Sequence, residues 1–265
     1  DIVGKDSFVG FASKDGSILK GNNVNFDNIN IPFASYIKKS EYDKAILKVN
    51  AARYQNYLIP YLKDRYSIIE IARMIKNEGF DLVGVPTSEE TRRLSERLDI
   101  PIRDINESGK LDLTIDGADE FDSNFDLIKG GGGALTREKI VALQSNSMIV
   151  VADETKQVDT LGAYDLPVEV DSVIWQDSMD SLASICPGGV SLRGGIEDPF
   201  VTDNDGLIMD CSFGPSITEP KALEAEIKKI EGVVEVGLFV GICDAVVVAS
   251  EAGVNTLVKP SGRLK

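Results

Sequence analysis

The sequence predicts an α/β protein, with a Rossmann-like parallel-sheet domain and a second, smaller α+β domain built on antiparallel strands. Three observations carry this. Between residues 81 and 151, short apolar runs alternate with segments of helical spacing, the pattern of parallel strands joined by helical crossovers. Acid-rich and glycine-rich motifs fall at the ends of those strands, where open α/β sheets bind their ligands. From about Leu166 the rhythm changes to short strand-like runs in succession, with Asn204-Asp205-Gly206 as a hairpin turn. The expected division is residues 1–165 plus 241–265 for the first domain and 166–240 for the second.

Each element follows from its residues. Residues 1–40 are rich in Gly, Asn, Asp and Ser and read as turns with short strands. Helical spacing runs from Glu41 to Ile59, where Pro60 ends it, and again from Ser67 to Asn77, with Ile68, Ile71, Ala72 and Ile75 on one face. Asp81–Val85 reads as a buried strand and Glu89–Leu98 as a helix capped by Thr87 or Ser88. Leu111–Ile115 is a strand ending at Asp116, followed by a glycine turn, a helix over Leu135–Leu143 and a strand over Ser147–Val151. In the second domain Val168–Val170, Ser191–Arg193, Phe200–Thr202, Leu207–Asp210 and Val233–Val240 are strand-like, and Lys221–Ile230 is helical. Cys243–Ala249 is apolar enough to return as a buried strand of the first sheet.

Composition narrows the chemistry. The chain of 265 residues is long enough for a full core, as one domain or as a large and a small one. There is no histidine, which excludes histidine triads, HExxH zinc sites and imidazole acid–base catalysis. Proton work falls to carboxylates, lysines and hydroxyls. A net charge of −15 argues against nucleic acid and acidic membranes as partners, yet leaves room for a small anion held locally. No apolar run reaches the roughly 18 residues of a membrane span, and the first residues lack the order of a secretory signal. The expected location is cytoplasmic. Cys186, Cys211 and Cys243 have no metal-ligand spacing and read as buried or half-buried thiols.

Two motifs stand out. In Lys129-Gly130-Gly131-Gly132-Gly133, successive glycines leave backbone N–H groups uncovered, just ahead of a helix whose positive end favours an anion. The run is neither GxGxxG nor a Walker loop. Asp116-Gly117-Ala118-Asp119-Glu120 sits at a strand end and is either a turn or a set of acid–base groups beside Lys129. Glu138 is a first-turn acid favoured by the helix dipole or a proton-transfer group; spacing alone leaves both open. Thr87, Ser88 and Thr91 offer hydroxyls suited to phosphate oxygens or to capping, and Lys156 faces either substrate or solvent.

At these residues the chain resembles the ribose-5-phosphate isomerase A family. The matching stretches run in order from about residue 80 to 258, among them Val83–Ser88, Asp116–Glu120, Leu127–Ile140, Val151–Lys156, Leu166–Val170, Pro199–Asn204 and Gly232–Phe239. The resemblance implies interconversion of ribose 5-phosphate and ribulose 5-phosphate without a metal or organic cofactor. It implies Glu138 as the base that shuttles a proton between C2 and C1, with Asp116 and Lys129 polarising the O1/O2 edge. Asp119 is similar to the acid of ring opening. Gly117, Ala118, Gly130, Gly131, Gly132, Thr87, Ser88 and Lys156 are similar to the substrate-binding positions. Homodimers or homotetramers are implied as well, with a sugar phosphate as the small-molecule partner.

One departure stands against this. The family's GxGTGST loop would fall near Leu62-Lys63-Asp64-Arg65-Tyr66-Ser67, where there is no glycine, and residues 1–40 form a divergent extension. A bulky loop cannot form the same nest. The rival readings are a catalytically silent sugar-phosphate-binding or regulatory protein on the same scaffold, or a related sugar-phosphate or CoA-transferase enzyme.

Overall fold

The computed structural model describes residues 8–13, 82–214, 216–250 and 253–263. The expectations for residues 1–7 and 14–81, including both early helices and the stretch 62–67, lie outside the described residues. The chain forms two compact units, Asp1–Asp116 with Val141–Ala152 and Asp244–Lys265, and Gly117–Ile140 with Asp153–Cys243.

In the first unit β1 (Phe8–Ser13) pairs antiparallel with β2 (Leu82–Pro86). Helix α1 (Glu89–Arg97) follows, with Glu89 and Glu90 in its first turn and Arg97 in its last, matching the helix dipole. Its cap is Ser88, whose Oγ accepts from the Thr91 N–H at 3.1 Å. A short helix α2 (Ile105–Ser108) precedes β3 (Thr114–Asp116). A four-stranded sheet then places β3 beside β6 (Met148–Asp153), β12 (Ala245–Ser250) and β13 (Gly253–Val258) in that order. Strands β3 and β6 run parallel, with Ile115 opposite Ile149, and α3 (Leu135–Gln144) lies between them in the chain. The near-continuous apolar runs at Met148–Ala152 and Ala245–Val248 are buried, as strands covered on both faces require. The Cys243–Ala249 segment does return to this sheet.

The second unit holds two antiparallel sheets. The smaller has β5 (Leu127–Ile128) between β4 (Glu120–Phe121) and β11 (Leu238–Phe239). The larger runs β10 (Val233–Val236), β7 (Leu166–Val170), β9 (Leu207–Cys211), β8 (Val190–Leu192). Leu166, Val168, Val170, Met209 and Cys211 form its core with Leu182 of α4 (Trp175–Ile185) and Ile227 of α5 (Pro220–Ile227).

Two expectations are corrected here. Val233–Val240 is two strands in two sheets, because Gly237 turns the chain: its N–H donates to Pro167 O at 2.8 Å and its carbonyl accepts from Lys129 N at 2.9 Å. A side chain at Gly237 would overlap that lysine carbonyl. Phe200–Thr202 is not a strand but contributes a single bridge, Val201 to Leu207. Thr202 turns inward instead, its Oγ1 donating to Glu169 at 2.7 Å and accepting from Gly206 N at 3.0 Å, and Asp205 takes a positive φ of 62°. Helix α4 lies where no element was expected, and it turns a serine toward the core. Ser178 is buried there because its hydroxyl donates to Glu231 O at 2.8 Å. The three cysteines are free and buried, and burial raises the thiol pKa of Cys186 and Cys211.

Candidate active site

The second unit concentrates most of the expected site residues. Strand β5 ends at Ile128, and Lys129 follows with its side chain only 3% exposed. Its Nζ donates to Gly117 O at 2.7 Å and stands 3.0 Å from Glu138 Oε2. The Glu138 side chain is equally buried, at 4%. A buried pair of opposite charges with this geometry is a place where a proton can be held and moved without leaving a net charge in the interior. The Phe239 ring covers it from one side, its centroid 5.5 Å from the ammonium.

The glycine turn follows directly. Gly130 and Gly133 have φ of +113° and +79°, conformations that side chains resist, and the Gly133 N–H closes the turn on Gly130 O at 2.9 Å. The Gly131 N–H donates to Asp119 Oδ2 at 2.7 Å. A methyl at Gly131 would overlap the Asp119 carboxylate and lie 2.8 Å from the Tyr164 hydroxyl. The turn therefore needs glycine at 131 for close approach, not for an unusual φ. Among the described residues, nothing accepts a hydrogen bond from the exposed Gly132 N–H.

Asp119 is the half-buried acid of this cluster. Burial pushes its carboxyl above the usual aspartate value, while the Gly131 N–H pulls it back, as do the charges of Lys129 and Lys156; Glu138 pushes it up. Lys156 is half-buried in the short 3-10 turn Glu154–Lys156, near enough for its charge to reach Asp119. Glu120, the last acid of the motif, is committed elsewhere: its carboxylate accepts from Gly162 N at 2.8 Å and from Tyr164 N. Ala118 is half-buried between Gly117 and Asp119.

The other expected residues belong to the first unit. Asp116 closes β3 with its side chain fully buried. Thr87 is buried at the end of β2, and Ser88 serves as the α1 cap, its hydroxyl also donating to Thr91 Oγ1 at 2.9 Å.

Several contributors were not legible in advance. Arg193 reaches the turn from the end of β8, its Nη1 donating to Gly130 O at 2.8 Å and to Gly131 O at 3.1 Å. Phe200 lies against Gly133, and Tyr164 beside Gly131. None of these lies near the two motifs in sequence, and no local pattern marks them.

An α/β scaffold with a buried lysine–glutamate pair, a second acid beside it and a glycine turn after a strand suits the class of enzymes that move protons beside an anion. Among the described residues no cluster of three or more His, Cys, Asp or Glu is placed to hold a metal ion, and no helix is long and apolar enough to cross a membrane. Comparison with known proteins makes the assignment specific. The family of ribose 5-phosphate isomerase A (phosphoriboisomerase A) matches residues 83–253. A ribose-5-phosphate isomerase A of Sinorhizobium fredii is 47% identical over 184 residues, 68% of this chain and 79% of its own. One from Bacillus mycoides is 45% identical over 179 residues, covering 67% and 80%. A solved D-ribose-5-phosphate isomerase in complex with phospho-erythronic acid superposes with a TM-score of 0.67 at 39% identity, over 72% of this chain and 84% of that one. The ribose 5-phosphate isomerase of Plasmodium falciparum gives 0.68 at 32% identity, over 73% and 86%. The chain belongs to the ribose 5-phosphate isomerase A family.

Proposed function

We propose that this chain is a ribose-5-phosphate isomerase, interconverting ribose 5-phosphate and ribulose 5-phosphate by carboxylate proton transfer through an enediolate. The observation that carries the mechanism is the buried Lys129–Glu138 pair, 3.0 Å apart, beside the glycine turn. With the open-chain aldose bound, the Glu138 carboxylate takes the proton from C2. The C2–H electron pair becomes the C1–C2 double bond, and the C1 carbonyl oxygen takes the negative charge. Glu138 returns its proton to C1, the O2 hydroxyl proton passes to O1, and the carbonyl is now at C2. No redox step is needed.

The surrounding groups fit roles around that transfer. Lys129 and the Gly132 N–H are donors for the enediolate oxygen, worth most where water is excluded. Asp119, with its pKa raised by burial, suits ring opening, which asks one group to give and take a proton. The anionic phospho-erythronic acid held by a relative is a phosphorylated acid whose carboxylate resembles the enediolate in charge. Roles for Asp116, Thr87, Ser88 and Lys156 rest on the family resemblance. So do the cytoplasmic location and the homodimer or homotetramer, which sedimentation at working concentration tests.

Glu138→Gln separates binding from chemistry. The variant is expected to bind phospho-erythronic acid and to lose turnover; wild-type turnover would remove Glu138 from the base role.

A further inference from the structure

We propose that Arg193 is a positioning residue of the isomerase: it acts through two peptide groups of the glycine turn, aligning and strengthening the N–H donors that face Asp119 and the substrate anion. This rests on the isomerase reading above.

Arg193 is held on every side. Its Nε donates to Asp210 Oδ2 at 3.0 Å and its Nη2 to Asp210 Oδ1, a two-pronged carboxylate pair. Its backbone N–H donates to Ile208 O at 2.9 Å and its carbonyl accepts from Phe200 N at 2.8 Å. The guanidinium carbon lies 5.9 Å from the Phe200 ring centre, and that ring lies against Gly133. What remains, Nη1, is spent on two carbonyls, Gly130 O at 2.8 Å and Gly131 O at 3.1 Å. A planar fork suits this division of labour in a way a lysine ammonium does not.

The consequence lies on the far side of those peptide groups. The Gly130 carbonyl shares its peptide with the Gly131 N–H, which donates to Asp119 Oδ2 at 2.7 Å. The Gly131 carbonyl shares its peptide with the Gly132 N–H, the exposed donor of the turn. A cation on the oxygen of a peptide draws electrons from its N–H and makes it a better donor. Arg193 thus pins both carbonyls and polarises both donors, one toward the acid and one toward the ligand. Asp119 is also faced by Lys129, Glu138, Lys156 and Tyr164, so the change at Asp119 must be read against an otherwise unchanged setting.

The test compares wild type, Arg193→Gln and Arg193→Lys for thermal unfolding, kcat and KM on ribose 5-phosphate, and inhibition by phospho-erythronic acid. The Asp119 carboxyl is titrated in parallel by carbon NMR. Arg193→Gln should lower kcat about tenfold or more, short of the roughly 10²–10³ lost when an oxyanion donor is removed outright. KM should change much less, inhibitor affinity should fall with kcat, and Asp119 should titrate at higher pH because its donor has weakened. Arg193→Lys should recover part of each. A folded Arg193→Gln with wild-type kcat, inhibitor affinity and Asp119 titration overturns the proposal. So does a lower unfolding temperature with inhibitor affinity and Asp119 titration unmoved, which marks a purely structural pin. If Arg193→Gln does not fold, Asp210→Asn, which loosens the fork, should move the same readouts in the same direction by less; unmoved readouts there overturn it too. A wild type without turnover counts against the isomerase reading, and the Asp119 titration then decides the Arg193 proposal alone.

Discussion

Two buried lysines approach the Phe239 ring, Lys129 at 5.5 Å and Lys139 at 5.1 Å, and they do different work. Lys139 is saturated: its three protons meet Glu224 Oε1 at 2.7 Å, Glu235 Oε1 at 2.7 Å and Val236 O at 2.6 Å. Lys129 instead meets the Gly117 carbonyl and Glu138, the helix residue next to Lys139. The acids around the two lysines differ as well. Lys139 holds Glu235 below the usual glutamate value in spite of burial, whereas burial wins at Asp119 and raises it. A carboxylate locked in its charged form builds structure; one pushed toward its neutral form can exchange protons.

The largest effect that would sharpen this contrast is on chemistry. Glu138→Gln should cut kcat by about 10²–10⁴-fold, the range for a lost acid–base group, while phospho-erythronic acid still binds. Lys139→Met should act on stability instead. It leaves Glu224 and Glu235 with Lys228, whose Nζ lies 3.7 Å from Glu224 Oε1 and 2.9 Å from Glu235 Oε1. The loss should be about 3 kcal/mol by denaturant unfolding, the low end for breaking a buried pair, while turnover per folded molecule stays near wild type. A kinetic defect in folded Lys139→Met would break the comparison.

Smaller effects follow from the turn. Gly131→Ala forces Asp119 and Tyr164 apart and should cost about 1–3 kcal/mol through overpacking, with loss of activity as the Asp119 carboxylate moves.

The smallest effect is in the pH dependence of stability, where the two acids should show opposite signs. The folded pKa of Asp119 is above its ordinary 3.8, so its ionised form is disfavoured in the fold. Its contribution is intact below 3.8 and is lost as pH rises through the folded value. Asp119→Asn should therefore be slightly more stable than wild type at neutral pH, with the gain vanishing in acid. Glu235 has a folded pKa below its ordinary 4.5, so its contribution is present above 4.5 and is lost as pH falls through the folded value. Glu235→Gln should be less stable at neutral pH, with the deficit closing in acid. Urea midpoints across pH 3–8 measure both; shifts of the same sign would contradict the distinction.

Much of the site was legible because its chemistry is local. Asp119, Lys129, the glycines and Glu138 fall within two short motifs, and the strand–turn–helix pattern placed them at a strand end. The role of Lys139 was hidden although it sits in the same motif, since its carboxylate partners lie 85 and 96 residues away. Arg193 was hidden for the same reason, reaching the turn across 63 residues. The split of Val233–Val240 was missed because apolar alternation continues through Gly237, and only the close approach of the Lys129 and Pro167 carbonyls shows why the chain turns there. Local pattern marks which residues are candidates for chemistry; the packing that pairs their charges is set at long range.

The most direct test is to follow ribose 5-phosphate deuterated at C2 with wild-type and Glu138→Gln protein, recording both ribulose 5-phosphate formation and the fate of the label. Wild type should form the ketose, with deuterium moved to C1 or exchanged into solvent. Glu138→Gln should bind the sugar phosphate and do neither. Ketose formation and label loss by Glu138→Gln at the wild-type rate would contradict the assignment of Glu138 as the base.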